Sequence, residues 1–184
     1  MRAFADAAAF EQWLANNYQR QEGIWLKLAK KGSGIPSITS GETVDAGLCY
    51  GWISGQRRSY DGSYYLQKYV PRRPNSLWSA VNVEKVEKLT AAGRMRPPGI
   101  AEVDAAKADG RWAAAYVAQR DATAPEDLVK ALEADPAAAE FFATLGKTGQ
   151  YAVIVRLARS RTPRTRAALL AKLVAGLAAG HVPG

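Results

Sequence analysis

The sequence is short of the residues on which most enzyme chemistry rests. Its 184 residues include one cysteine, Cys49, and one histidine, His181. A lone cysteine excludes an intramolecular disulfide and gives no support to a secreted, cross-linked scaffold. Ser-His-Asp and Cys-His sites need an imidazole beside the nucleophile, and the single imidazole here follows Gly180 at the end of a helical pattern. With no clustered carboxylates, no metal-ligand spacing is legible, so neither metal nor cofactor is expected. No phosphate-binding glycine motif follows a strand. Long apolar runs are missing as well. No stretch approaches about 18 uninterrupted apolar residues, so no membrane-spanning helix is expected. The opening "MRAFADAAAFEQWLANN" places Asp6 and Glu11 in an amphipathic spacing where a signal peptide would have an apolar core. A cytoplasmic location is therefore the expectation.

Positive charge is what the chain has in excess. Lys and Arg number 25 against 17 Asp and Glu, a net charge of +8. Such an excess favours nucleic acid, anionic lipid or an acidic ligand, and it also serves solubility. The charge is uneven. Residues 57–73 carry five bases against Asp61, and residues 156–172 carry six bases and no acid. An apolar content of 48% with 23% charged residues is that of an ordinary globular chain.

Phe10, Trp13, Leu14 and Asn17 recur at helical spacing and predict an amphipathic helix over 6–18. In "GIWLKLAKKGSG", Ile24, Leu26 and Leu28 alternate with Trp25, Lys27 and Ala29, which predicts a strand closed by Gly32 and Gly34. "TSGE", from Thr39 to Glu42, is a capping box that opens a helix to about residue 50. Asp61-Gly62 reads as a two-residue type I′ hairpin turn. Counting outward pairs Arg58 with Tyr65, Gln56 with Gln67 and Ser54 with Tyr69. One face is then Ser54, Gln56, Arg58, Tyr65, Gln67 and Tyr69, and the other is Ile53, Arg57, Tyr64, Leu66, Lys68 and Val70, whose apolar members fit a core.

From Ser79 the composition turns Ala-rich and helical. Val81, Val86 and Leu89 mark one helix, and Ile100, Val103 and Ala106 mark another. Thr123 with Glu126 reads as a second capping box, and Asp135-Pro136 and Thr162-Pro163 as caps before a proline at the first helical position. Helices follow near 124–134, 136–145, 149–159 and 163–179. The fold class predicted is α+β: an N-terminal three-stranded antiparallel sheet with helices over 1–78, then a C-terminal helical bundle over 79–184.

Four blocks, "GIWLKLAKKGSG", "LCYGWISGQRRSYDGSYYLQKYVPRRPNSLWS", "VEKLTAAGRMRPPGIAEVDAAKADGRW" and "PEDLVKALEADPAAAEFF", resemble successive parts of the bacteriocin-protection family, also called YdeI/OmpD-associated, over roughly residues 4–178. Residues 120–180 are the helical domain of that type. The resemblance implies protection against bacteriocins or cationic antimicrobial peptides and an association with an outer-membrane porin. It brings no catalytic residues. Members of the family carry Gly-Trp-Ile-Asp-Gly where this chain has Gly51-Trp52-Ile53-Ser54-Gly55, so no carboxylate stands at position 54.

The strongest candidate site is the aromatic-basic hairpin. Its polar face, Gln56, Arg58, Tyr65, Gln67 and Tyr69, with Trp25, Trp52 and Arg72-Arg73 at its rim, offers flat rings, orienting amides and guanidinium groups for a carboxylate or phosphate. The same rings also serve as cross-strand packing. Cys49 reads as a buried thiol, or as a reactive one if a hairpin arginine lies beside it. Asp45 reads as a solvent-facing helix residue or as a partner of a hairpin arginine. The leading expectation is a non-catalytic binding or resistance protein taking a small molecule or peptide on this face. A nucleic-acid-binding protein, using the basic hairpin and the Arg-rich C-terminal helices, is the alternative. An enzyme built on Asp45, Tyr65 and an arginine is the third.

Overall fold

The computed structural model describes residues 1–158, 160 and 162–182, with the backbone alone for Arg120. These residues form an α+β fold of eight α-helices and one three-stranded antiparallel sheet, with strand order β1-β3-β2. In chain order the elements are α1 (Ala7–Asn17), β1 (Ile24–Ala29), α2 (Ser40–Cys49), β2 (Trp52–Ser59), β3 (Tyr64–Pro71), α3 (Ala80–Ala91), α4 (Pro97–Ala108), α5 (Glu126–Glu133), α6 (Pro136–Thr144), α7 (Lys147–Ala158) and α8 (Pro163–Ala178). Among the described residues, no helix is long and apolar enough to cross a membrane.

The chain divides into two compact units, Met1–Ser76 with Asn82–Ala108, and Leu77–Val81 with Asp109–Gly184. The composition break at residue 79 marks where helices replace strands, yet most of α3 and all of α4 belong with the sheet. The glycine of α4 accounts for part of this. A Cβ on Gly99 would lie 2.2 Å from the Cys49 carbonyl oxygen, so α4 meets the end of α2 at a distance that only glycine permits. Lys85 of α3 also bonds Asp45 of α2 at 2.5 Å, and Arg94 bonds Glu11 of α1 at 2.6 Å.

The caps at Thr39, Asp135 and Thr162 form as the sequence predicts, and the structure adds one at Asp6, whose side chain accepts from the Ala9 N–H. At α2 the Thr39 hydroxyl accepts from the Glu42 N–H, and the Glu42 carboxylate accepts from the Thr39 N–H at 2.8 Å. The box expected at Thr123 does not form. Helix α5 starts two residues later, with Pro125 at the cap position and no side-chain bond there. Val81 and Ile100, expected inward, are exposed, while Val86, Leu89, Val103 and Ala106 are buried. In the second unit, Leu128, Leu132, Ala138, Val153, Leu157, Leu173 and Leu177 form the core.

The hairpin departs from its predicted form in two ways. Neither Asp61 nor Gly62 has a positive φ, so the turn is not type I′. Instead the Asp61 carboxylate accepts from the N–H groups of Ser63 and Tyr64, both at 2.8 Å, and makes a wider Asp-capped loop. Near the strand start the pairing is as counted, Ser54 opposite Tyr69, but beyond it Arg57 faces Gln67 and Arg58 faces Leu66. A β-bulge between Ser54 and Arg57 absorbs the extra residue.

The larger correction concerns the faces. β1 pairs with β3 so that Ile24 opposes Tyr69, Leu26 opposes Gln67 and Leu28 opposes Tyr65. Directly opposed residues share a face, and Ile24, Leu26 and Leu28 are buried. Tyr65, Gln67 and Tyr69 therefore lie on the core side, with Phe10 and Leu14 of α1 and Ala46 of α2. Tyr64, Leu66, Lys68 and Val70, the face whose apolar members the hairpin alone would send to the core, stand half-buried on the opposite, outer side.

Candidate functional site

The structure separates the residues expected to form one binding face. Tyr69 is 1% exposed, packs edge-on against Phe10 at 5.9 Å between ring centroids, and donates its hydroxyl hydrogen to Thr43 Oγ1 at 2.8 Å. Burial pushes its phenol up to about 12. Trp52, also 1% exposed, donates its indole N–H to the Tyr18 carbonyl at 2.9 Å. Gln67 and Arg72 are buried too. Tyr69 and Trp52 belong to the core under the sheet, Gln67 lies on the same side of β3, and Arg72 is buried just past the end of that strand, so none of the four offers an exposed side chain. Gln56 and Arg58 are exposed, and Tyr65 is half-buried.

Gln67 has a definite local task. Its amide donates to the carbonyls of Gly55 at 2.9 Å and Gln56 at 3.1 Å, and its oxygen accepts from Arg57 Nε at 3.1 Å. The bulge frees carbonyls from the ladder, and this side chain supplies them with donors. It also aims Arg57 toward the core-side face, where its Cζ lies 4.4 Å from the Tyr65 ring centroid.

Arg57 and Tyr65 open onto a cleft of about 950 Å³, within the range of small-molecule sites. The other wall is loop 30–39 and the start of α2, with Lys30, Lys31, Ser33, Ser37, Thr39 and Ser40. Gly32 and Gly34 have φ of +85° and +71°, and a Cβ on either would meet nothing, so backbone conformation alone demands glycine there. Lys30 Nζ bonds the Asp61 carbonyl at 2.7 Å and ties this loop to the hairpin tip. Arg58 borders the same cleft. Four cations and one phenol ring line it, and none of the lining residues is acidic. At its rim the N-terminus of α2 is already occupied by the Glu42 carboxylate, which the Thr39 N–H and hydroxyl hold below its ordinary range.

Only Arg58 and Tyr65 of the predicted site residues line this cleft. Sequence reasoning missed Lys30, Lys31 and Arg57. The signal was present in "KKGSG", a basic, Gly-punctuated loop between a strand and a capped helix. Cys49 is buried, and loss of hydration pushes its thiol up to about 11, so it is not a reactive thiolate. Asp45 pairs with Lys85 of α3 instead of with a hairpin arginine. Among the described residues, no three His, Cys, Asp or Glu side chains come together as metal ligands.

Fold and cleft together define an α+β protein with an open basic cleft in its sheet-containing unit. By a match over residues 2–102, more than half of its length, the chain belongs to the family described as a domain of unknown function, DUF8412. Residues 121–180 match a second family, described as bacteriocin-protection, YdeI or OmpD-associated. The bacteriocin-protection match thus covers helices α5 to α8, while the hairpin and cleft fall within the other family's match. No curated protein and no solved structure matches the chain.

Proposed function

We propose that the protein is a binding protein of the bacteriocin-protection type, which takes a planar anionic small molecule in the cleft beside the hairpin tip. The observation that carries this reading is the lining: Lys30, Lys31 and Arg57 converge on one space with Tyr65 and no acidic lining residue, while Arg58 borders the cleft with its guanidinium turned to Trp25 on the other face. Arg57 is held by Gln67 through Nε, which leaves the exposed end of its guanidinium to grip a carboxylate or phosphate. Tyr65 supplies a flat surface for a ring. A cationic peptide suits this cleft poorly, because like charges oppose its approach.

The test is ligand-observed NMR with nucleoside monophosphates and aromatic carboxylates beside their neutral and cationic counterparts. Planar anions bind, and the double variant Lys31→Gln/Arg57→Gln weakens them at least about tenfold, since a hydrogen bond to a charged group contributes about 1.5–3 kcal/mol. Equal binding of neutral analogues, or an unchanged affinity in the double variant, overturns the reading.

A further inference from the structure

The outer face of the sheet is a separate surface, where Tyr64, Leu66 and Lys68 of β3 stand beside Trp25 and Lys27 of β1 and Arg58 of β2. Trp25 stands opposite Lys68, Lys27 opposite Leu66, and Leu66 opposite Arg58. Rings and cations interlock across all three strands. The Lys27 ammonium lies 3.9 Å from the Tyr64 ring centroid and 4.7 Å from that of Tyr60. The Arg58 guanidinium lies 4.7 Å from Trp25, and the Lys68 ammonium 5.7 Å from the same ring. Tyr60 is 47% exposed. The three strands together contain four Lys or Arg and no Asp or Glu.

We infer that this outer face binds single-stranded nucleic acid. Strand geometry sets Trp25 and Tyr64 roughly 14 Å apart, at about 3.3 Å per residue and 4.8 Å between strands. Arg58 lies across the gap, and a guanidinium plane accepts a base as an aromatic ring does. Phosphates draw Lys27 and Lys68 off the rings they cover, and unpaired bases then stack on the freed faces regardless of sequence. A duplex hides its base faces and gains only the charge. A membrane surface calls for protruding apolar side chains, whereas these rings lie beneath ammonium and guanidinium groups. Arg58 is the one residue of this face that also borders the cleft, whose loop 30–39 takes no part in it.

The test is fluorescence anisotropy of a labelled 12-nucleotide oligo(U) with the full chain, beside a duplex of the same length and vesicles containing phosphatidylserine. The expected result is preference for the single strand, with log affinity falling against log salt at a slope of about −2, as about three phosphate contacts require. Tyr64→Ala weakens binding about tenfold, the loss of one stacked base. Lys27→Gln/Lys68→Gln, which leaves the rings in place, weakens it and reduces the slope. Lys88→Gln removes a charge from exposed α3 and changes affinity less than about twofold. Equal affinity for duplex, stronger retention on vesicles, or equal effects of Lys88→Gln and Lys27→Gln/Lys68→Gln overturns the proposal. If Tyr64→Ala fails to fold, the lysine pair and the duplex comparison still decide it.

Discussion

Two buried acids show how much a single residue's surroundings set its chemistry here. Cys49 and Tyr69 are neutral when protonated, and burial penalises their anions, raising the thiol from 9.0 to about 11 and the phenol from 10.0 to about 12. The unfolded chain gives up these protons first, so above about pH 9 it binds fewer protons than the folded one. The stability they contribute is therefore full below that pH and is lost as pH rises through the two folded values. Urea unfolding from pH 8 to 11 should show falling stability, and Cys49→Ala should flatten the first part of the fall. A flat wild-type profile would contradict the burial of both groups. The thiol should also resist alkylation in the native protein at pH 8.

At the scale of elements, the hairpin turns on its bulge. An extra residue between Ser54 and Arg57 shifts the outer pairing by one, and a shift of one exchanges faces. Arg57 thereby joins Tyr65 on the cleft side, and Arg58 joins Trp25 on the outer side. The bulge depends on Gln67, whose amide meets both freed carbonyls. Gln67→Leu keeps the volume and removes the bonds. It should cost about 1–3 kcal/mol, as for a buried polar group left without its partner, measured by denaturant unfolding. It should also weaken planar anions in the cleft, because Arg57 loses its anchor. A neutral effect on both would mean that the bulge carbonyls find other donors. The edge gains protection from the same irregularity, since a bulge and two arginines discourage pairing with another chain.

At the scale of the whole molecule, two cores stand apart in composition and in chain. One gathers Phe10, Leu14, Leu26, Leu28, Trp52 and Tyr69 around the sheet, and the other gathers leucines of α5, α7 and α8. Within the second unit, Arg166 holds Asp127 by two bonds, at 2.6 and 2.9 Å, and joins α8 to α5. Leu173 is fully buried there, so Leu173→Ala should cost about 2–5 kcal/mol. Hydrogen exchange should quicken in Asp109–Gly184 and stay unchanged in Met1–Ser76, as units with separate cores open separately. Equal acceleration in both would show that they open together.

Local rules read from the sequence carried the helices well. Thr39, Asp135 and Thr162 cap where a short polar side chain precedes a helical pattern, because that chemistry is complete within four residues. The alternation of Ile24, Leu26 and Leu28 fixed the buried side of β1 for the same reason. The hairpin lacked such a signal. Tyrosine, glutamine and arginine suit a core-side or an outer face, provided their polar atoms find partners, and Thr43, Gly55 and Gln56 supply partners for Tyr69 and Gln67 from outside β3 itself. Which side of β3 would be buried was decided when β1, with its unambiguous leucines, paired against it. That pairing joins residues some 40 positions apart, and in folding it also brought loop 30–39 beside Arg57 and Tyr65. The cleft is thus a product of tertiary structure: its cations were legible one by one, and their convergence was not.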